Sequence, residues 1–586
     1  MEVSFHLRTA LMRNMLWATF LPITAVLVFG AVPPQLGPLV HVEQGALRGT
    51  YLTSAGGRIF SAFQGIPYAR PPTGKHRFKD PSPAKPWRGV WPAIKPGSQC
   101  LQYNTVATKH PNPQGDEDCL YLNVYSTMLP AGGGAPLLDV IVNIHGGAFI
   151  FGAGSDSGPK YLMDRDLVFV TFNYRLGPLG FLSTEDEVVP GNMGLKDQTA
   201  ALRWVQRNIA SFGGNPASIT ITGQSAGGAS VHYHYLSPLS HGLFQRGISQ
   251  SGSALCPWTQ MENGRIKAMK LAQELGCNTQ TSRELLDCLR HRPASMIVQQ
   301  VATFQGWQNM PFSPFGPTVE VAGVTPFLDR QPIDILLDGN VQNLPWITGV
   351  TTEEGLYPAG SWVENEDILN EVQNRFSELA PLILDYNYTV PEEQKQAVAQ
   401  SIHQFYLQGK TISPETTSNF IQMTGDRHFV VEAERAARIQ AAVNSAPVYF
   451  YQFGYRGHHS VSEYLSGTNI NFGVSHADDS TFVLQLPYSN TEETQQDKDM
   501  SKVLVDIWDS FNRNGNPVPS GRNFTWEPVT ARSDELTYLY IANSSHLEMR
   551  CSLDLGNREF WDSLPISESQ ISINVQNIQQ KTHEEL

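Results

Sequence analysis

Ser218-Ile-Thr-Ile-Thr-Gly-Gln-Ser-Ala-Gly227 is the stretch that decides the reading of this chain. The run Ile219–Ile221 predicts a short buried strand that breaks at Gly223. A small-residue helix then opens with Ala226, Gly227, Gly228 and Ala229. A serine between such a strand and helix makes the G-x-S-x-G elbow. Small neighbours permit the tight turn, and the turn leaves the Ser225 hydroxyl accessible. The free backbone N–H groups of a helix N-terminus also stabilise a developing oxyanion. The plain alternative is a glycine-rich turn with an ordinary serine, so the rest of the chain has to decide.

Outward from the elbow, apolar runs alternate with helical patterns. Val140–Ile144, Leu167–Phe172, Trp346–Val350, Val448–Tyr451 and Tyr538–Ile541 read as further buried strands. Asp197 to Phe212 carries Leu202, Val205, Ile209 and Phe212 at helical spacing and ends at Gly213-Gly214. Arg427–Val443 and Met500–Phe511 read as two more helices. This alternation predicts an α/β fold: a large, mostly parallel central sheet with helices on both faces. Residues 260–340 and 360–430 read as helical insertions that would roof a site at the sheet's C-terminal edge. No repeat, low-complexity tract or long linker interrupts the pattern, so residues 31–580 are expected to form one large domain.

The chain has 586 residues, 41% hydrophobic and 16% charged, enough to bury a large core. Its 41 Lys and Arg against 55 Asp and Glu give a net charge of -14, which argues against nucleic acid or anionic membranes as partners. Arg8 and Arg13 precede the apolar run Met15–Phe29, and small residues follow at Gly30 and Ala31. Residues 1–30 therefore read as a cleaved signal peptide, and no other stretch is long and apolar enough to span a membrane. In an oxidising compartment Cys100 would pair with Cys119 and Cys277 with Cys288, while Cys256 and Cys551 either pair or stay reduced. No Cys/His spacing suggests a metal site, and no cofactor is expected. Asn387, Asn523 and Asn543 open glycosylation sequons. His583-Glu-Glu-Leu586 resembles an ER-retention tail, which would add a retention receptor as partner and leaves ER lumen and secretion both open.

An acyl-transfer serine needs oxyanion donors, an acid and a base. His145-Gly-Gly-Ala-Phe149 follows the strand Val140–Ile144, and its backbone N–H groups at Gly147 and Ala148, with that of Ala226, are candidate donors. The acid candidates are Glu354 and its neighbour Glu353, one of which reads as a solvated loop charge. The base candidate is His476, in the small-residue loop Phe472–Asp479. Nucleophile, acid and histidine stand in the order this elbow requires.

With these residues in place, the chain resembles the type-B carboxylesterase and cholinesterase family of α/β-hydrolases. The likeness runs from about Val40 to about Trp561. Phe63-Gln-Gly-Ile-Pro-Tyr-Ala-Arg-Pro-Pro72, Glu117-Asp-Cys-Leu-Tyr-Leu-Asn-Val124, Asn173-Tyr-Arg-Leu-Gly177, Gly194-Leu-Lys-Asp-Gln198 and Gln250-Ser-Gly-Ser253 match its blocks. The resemblance implies a serine ester hydrolase with Ser225, Glu354 and His476 as triad, Glu354 being preferred because the family's acid immediately precedes the glycine. It maps Gly146, Gly147, Ala148 and Ala226 onto the oxyanion segment, supports both disulfides, and places Ser251 as a hydroxyl that supports the acid. A small-molecule ester is the partner it implies.

Departures narrow the reading. Ala148 replaces the third glycine of the oxyanion loop. Gln224 stands where the family more commonly has Glu, and it bears on substrate more than on chemistry. Residues 101–118 lack the tryptophan with which cholinesterases bind the choline cation. Gln224, Gly473–Asp479, Asp197-Gln198 and Arg77-Phe78 look like insect juvenile hormone esterases, whose basic helix Arg427, Arg435 and Arg438 only approximate. A broad carboxylesterase is the leading expectation. A juvenile-hormone-type esterase for a long apolar methyl ester is the second. A non-catalytic adhesion relative is the third, disfavoured by the complete triad.

Overall fold

Runs of β-branched and aromatic residues build most of the strands. The computed structural model describes residues 37–569, except 107–110, 131–135, 322–324, 489–491 and 532. The signal-peptide and retention-tail readings lie outside these described residues. In chain order the strands are β1 (Leu39–Val42), β2 (Gly45–Arg48), β3 (Thr50–Thr53), β4 (Ile59–Pro67), β5 (Val90–Pro92), β6 (Tyr121–Ser126) and β7 (Leu138–Ile144). They continue with β8 (Val168–Phe172), β9 (Gly214–Gln224), β10 (Arg246–Gln250), β11 (Trp346–Thr351), β12 (Val448–Phe453), β13 (Leu536–Asn543) and β14 (His546–Ser552).

β1, β2 and β5 form a small sheet, and the other strands form an 11-stranded sheet ordered β14-β13-β12-β11-β10-β9-β7-β8-β6-β4-β3. Its middle, from β8 to β13, is parallel. The flanks β3-β4-β6-β8 and β13-β14 are antiparallel. The parallel part corresponds to the continuous apolar runs, because both faces of those strands are covered. Val140, Val142 and Ile144 pack into one core cluster and Ile141 into the other, as alternation along a strand requires. The fold is that of an α/β-hydrolase.

Register places the site. Ile144 pairs with Gly223, Gln224 with Gln250, and Gln250 with Gly349. The segments after β7, β9, β10 and β11 therefore leave the same sheet edge side by side. That edge is the C-terminal end of a parallel sheet, where α/β folds place their ligands.

Two helices differ from expectation in a way that matters. The helix read over Asp197–Phe212 spans Met193–Asn208 and tightens into a last turn, Ile209–Phe212. Asp197 does not start it. It lies buried within it, 2.7 Å from both Nε and Nη2 of Arg175. The helix read over Arg427–Val443 is the end of a longer run: Thr417–Gly425, a wide turn Asp426–Val430, then Val431–Val443. Arg427, Arg435 and Arg438 are tied into it by Glu568, Glu432 and Glu434 and do not form an exposed basic face.

Cys100–Cys119 and Cys277–Cys288 are disulfide-bonded, whereas Cys256 is buried and free and Cys551 exposed and free. The disulfides mark a chain that matures in the oxidising secretory pathway. Arg77 links both bridged regions: Nε and Nη2 each lie 2.6 Å from the Glu117 carboxylate, and Nη1 donates to the carbonyls of Leu289, Arg290 and Arg292. Among the described residues no helix is long and apolar enough to cross a membrane.

Candidate active site

β9 ends at Gln224, and the helix Ala226–Leu236 begins one residue after Ser225. Ser225 caps that turn with φ 59° and ψ −123°, a conformation costly for a residue with a Cβ. The surroundings hold it there: its N–H donates to Gln250 O at 2.8 Å, and its carbonyl accepts from Ala229 N at 2.8 Å. Glycine is needed on both sides of the turn. A Cβ at Gly223 would lie 2.3 Å from the Gly227 carbonyl carbon, and one at Gly227 would lie 2.0 Å from Ile144 O.

The loop after β7 sits against this turn. Gly147 has φ +107°, and a Cβ there would lie 2.0 Å from Phe151 O. Ala148 follows with φ 54°, which turns the loop back on itself. Gln102, inside the Cys100–Cys119 loop, clamps the loop's far end: it donates to Gly152 O at 3.1 Å and accepts from Gly152 N at 2.8 Å. His145 is buried and stacked on Tyr174 with ring centroids 4.3 Å apart. Burial pushes its imidazole down to about 4, so it is neutral at physiological pH.

His476 Nδ1 lies 2.6 Å from Glu354 Oε2. Glu354 is 1% exposed, and its other oxygen accepts from Thr351 N at 2.7 Å and from the Ser251 hydroxyl. Three donors thus converge on one buried carboxylate. Glu353 is not a solvated loop charge. Its Oε2 accepts from Val474 N at 2.6 Å, and its N–H donates to Val474 O, so it ties down the backbone just ahead of His476. The two adjacent glutamates divide the work: one meets the imidazole, the other its loop.

The His476 ring is flanked by Phe429, centroid distance 4.4 Å, and Tyr357, 5.3 Å. Phe312 packs on Tyr357 in turn, so the inserted helical regions reach the site through aromatic rings. Behind the loop, Asp479 accepts from Gln250 Nε2 and Tyr451 OH. This connects the histidine segment to the strand that holds the Ser225 N–H. Burial drives the neighbouring Asp478 up to about 8, while Ser460 Oγ, Val461 N and Ser475 N donate to it.

Ser225, His476, Gly146, Gly147 and Ala148 line one cavity of about 250 Å³. Val106, Val461, Leu465, Leu484, Leu486 and Pro487 give it apolar walls, with Tyr357, Tyr464 and Tyr488 among the aromatic ones. One contact lay beyond reach of sequence reasoning. Gln224 Nε2 lies 2.8 Å from His476 Nε2, joining residues 252 apart in sequence. Of the sequon residues, Asn523 is exposed, whereas Asn387 and Asn543 are half-buried.

The carboxylesterase family model matches residues 37–561. The chain is 45% identical over 537 residues to Venom carboxylesterase-6 of Apis mellifera, covering 91% of this chain and 96% of that protein. It is 44% identical over 504 residues to Esterase FE4 of Myzus persicae, covering 85% and 88%. It is also similar to the crystal structure of juvenile hormone esterase from Manduca sexta with OTFP covalently attached. That likeness has a TM-score of 0.78 and 30% identity and covers 90% of this chain and 99% of that one.

Proposed function

The chain belongs to the carboxylesterase family, and from that premise we propose that Ser225, His476 and Glu354 carry its hydrolysis of carboxylic esters. In this reading His476 Nε2 takes the Ser225 proton as the hydroxyl attacks the ester carbonyl. Glu354 orients the ring through Nδ1 and stabilises the imidazolium. The N–H groups of Gly147, Ala148 and Ala226 hold the oxyanion; Ala226 opens its helix, so its N–H has no partner within that helix. The alcohol leaves with the proton from His476, and water activated by the same imidazole releases the acid. Gly146 supports the donors by its close approach to Gln224 O, where a Cβ would lie 2.6 Å away.

The observation that carries the reading is the 2.6 Å contact between His476 and Glu354, in a cavity that Ser225 also lines on a strained turn. Ser225→Ala should lose hydrolysis of p-nitrophenyl acetate while keeping its circular dichroism spectrum and melting temperature. Wild-type turnover in that variant would overturn the proposal.

The apolar walls favour an uncharged ester with apolar substituents. A broad carboxylesterase is the reading we adopt, since the bee relative at 45% identity bears that name. The likeness to the Manduca sexta enzyme and the residue Gln224 favour the second reading, a juvenile-hormone-type esterase. Comparing kcat/KM for juvenile hormone and short generic esters separates the two; a hormone value orders of magnitude above the rest would select the narrow enzyme. Retention in the ER lumen is the finer proposal on location. Deleting His583–Leu586 should raise secretion, and unchanged secretion would count against it.

A further inference from the structure

In its neutral form the His476 ring has one lone pair to offer. Nδ1 faces the Glu354 carboxylate, an acceptor, so Nδ1 carries the proton and Nε2 can only accept. The donor it meets is the Gln224 side-chain amide, at 2.8 Å. The Ser225 hydroxyl, whose proton the mechanism sends to Nε2, makes no hydrogen bond among the described residues, although both side chains line the same cavity. A lone pair accepts one strong hydrogen bond at a time. The amide and the hydroxyl therefore compete for a single site.

We propose that Gln224 is a positioning residue for His476. Its neutral amide occupies imidazole Nε2 in the resting enzyme, where Glu354 already sets the Nδ1–H tautomer, and yields that nitrogen to the Ser225 hydroxyl when an ester enters. The inference rests on the triad reading and deepens it. The amide suits this role because it is uncharged. Turned through 180°, its oxygen accepts from an Nε2–H, so the same side chain serves either protonation state of the ring. A carboxylate at this position, the residue the family more commonly carries, would instead favour the protonated ring. The other groups around the ring are already committed. Glu354 faces Nδ1, Phe429 and Tyr357 cover the ring, Glu353 holds the Val474 backbone, Asp478 is held by Ser460 and Val461, and Asp479 by Gln250 and Tyr451. Gln224 is left as the side chain that meets Nε2.

The bond exists in the ground state and is broken on the way to the transition state, so it slows the chemical step. The test compares kcat/KM against pH for a p-nitrophenyl ester in the wild type, Gln224→Glu and Gln224→Met. In Gln224→Glu the acid limb should move up by about one pH unit or more, because an opposite charge stabilises the protonated base. In Gln224→Met, which matches the length without a donor, the plateau should rise about 2- to 10-fold, the worth of one hydrogen bond no longer broken. An acid limb in Gln224→Glu within about 0.3 units of wild type, far inside the expected shift, would overturn the proposal. So would a plateau in Gln224→Met at or below wild type. Ser225→Ala and His476→Ala are measured alongside. Activity in either sinks the triad reading itself, whereas inactivity there with wild-type behaviour at Gln224 sinks only this inference.

Discussion

Gly227→Ala tests how tightly the elbow and the loop after β7, the proposed oxyanion loop, are pressed together. The new Cβ would lie 2.0 Å from Ile144 O, 3.0 Å from Ile144 C and 3.1 Å from His145 C. Real Cβ contacts essentially never fall under 3.0 Å, so the two backbones must separate by at least about 1 Å. Neither side gives easily. Ile144 ends a central strand paired on both edges, and Gly227 sits in the first turn of a fully buried helix. The separation therefore passes into Gly146–Ala148 on one side and Ser225–Ala226 on the other. A misplacement of that size costs about 100-fold in rate. Overpacking a rigid interior adds a stability loss of about 1–3 kcal/mol. The assay is kcat/KM for p-nitrophenyl acetate together with urea unfolding. Gly316→Ala is the control, because its Cβ would meet Ser313 Oγ at an ordinary 3.5 Å. Activity in Gly227→Ala within twofold of that control would refute the claim that this contact sets the distance between Ser225 and the Gly147 and Ala148 N–H groups proposed as oxyanion donors.

Two further outcomes are expected. Ser251→Ala removes one of the donors on the Glu354 carboxylate and leaves Thr351 N and His476 in place, so kcat/KM should fall about 10-fold without loss of fold; an unchanged value would show that Ser251 does not support the acid. Asp426 is buried, accepts from Tyr406 OH and Asn557 Nδ2, and is pushed up to about 7 by desolvation. Its folded value lies above its unfolded one, so the folded state holds the proton longer and stability falls as pH rises from about 4 to about 7. Asp426→Asn should lose less melting temperature than wild type between pH 5 and pH 8; parallel curves would contradict this.

Much of the centre of this molecule was legible in its sequence, because the parallel strands are buried on both faces and read as unbroken apolar runs. β10, Arg246-Gly-Ile-Ser-Gln250, escaped such a reading. Its polar residues are buried for a local reason: Ser249 Oγ donates to Gly228 O, and the strand packs under the serine-bearing helix. The antiparallel edges escaped too, since Thr50–Thr53 and His546–Ser552 contain no buried residue and carry little apolar signal. Asp197 looks like a helix start because its partner Arg175 is distant in sequence. Order and local composition put forward Ser225, His476 and either Glu353 or Glu354 as candidates, and the family resemblance alone preferred Glu354. They were not enough to separate the work of Glu353 from that of Glu354, or to show that Gln224 touches the imidazole, because these facts depend on where side chains point across the fold.

The central claim is that Ser225 is the nucleophile, and covalent trapping tests it most directly. A small fluorophosphonate should inactivate the protein with one adduct per chain, mapped by peptide mass spectrometry to Ser225, in step with the loss of esterase activity. Complete inactivation with Ser225 unmodified, or the adduct on another residue, would contradict the account.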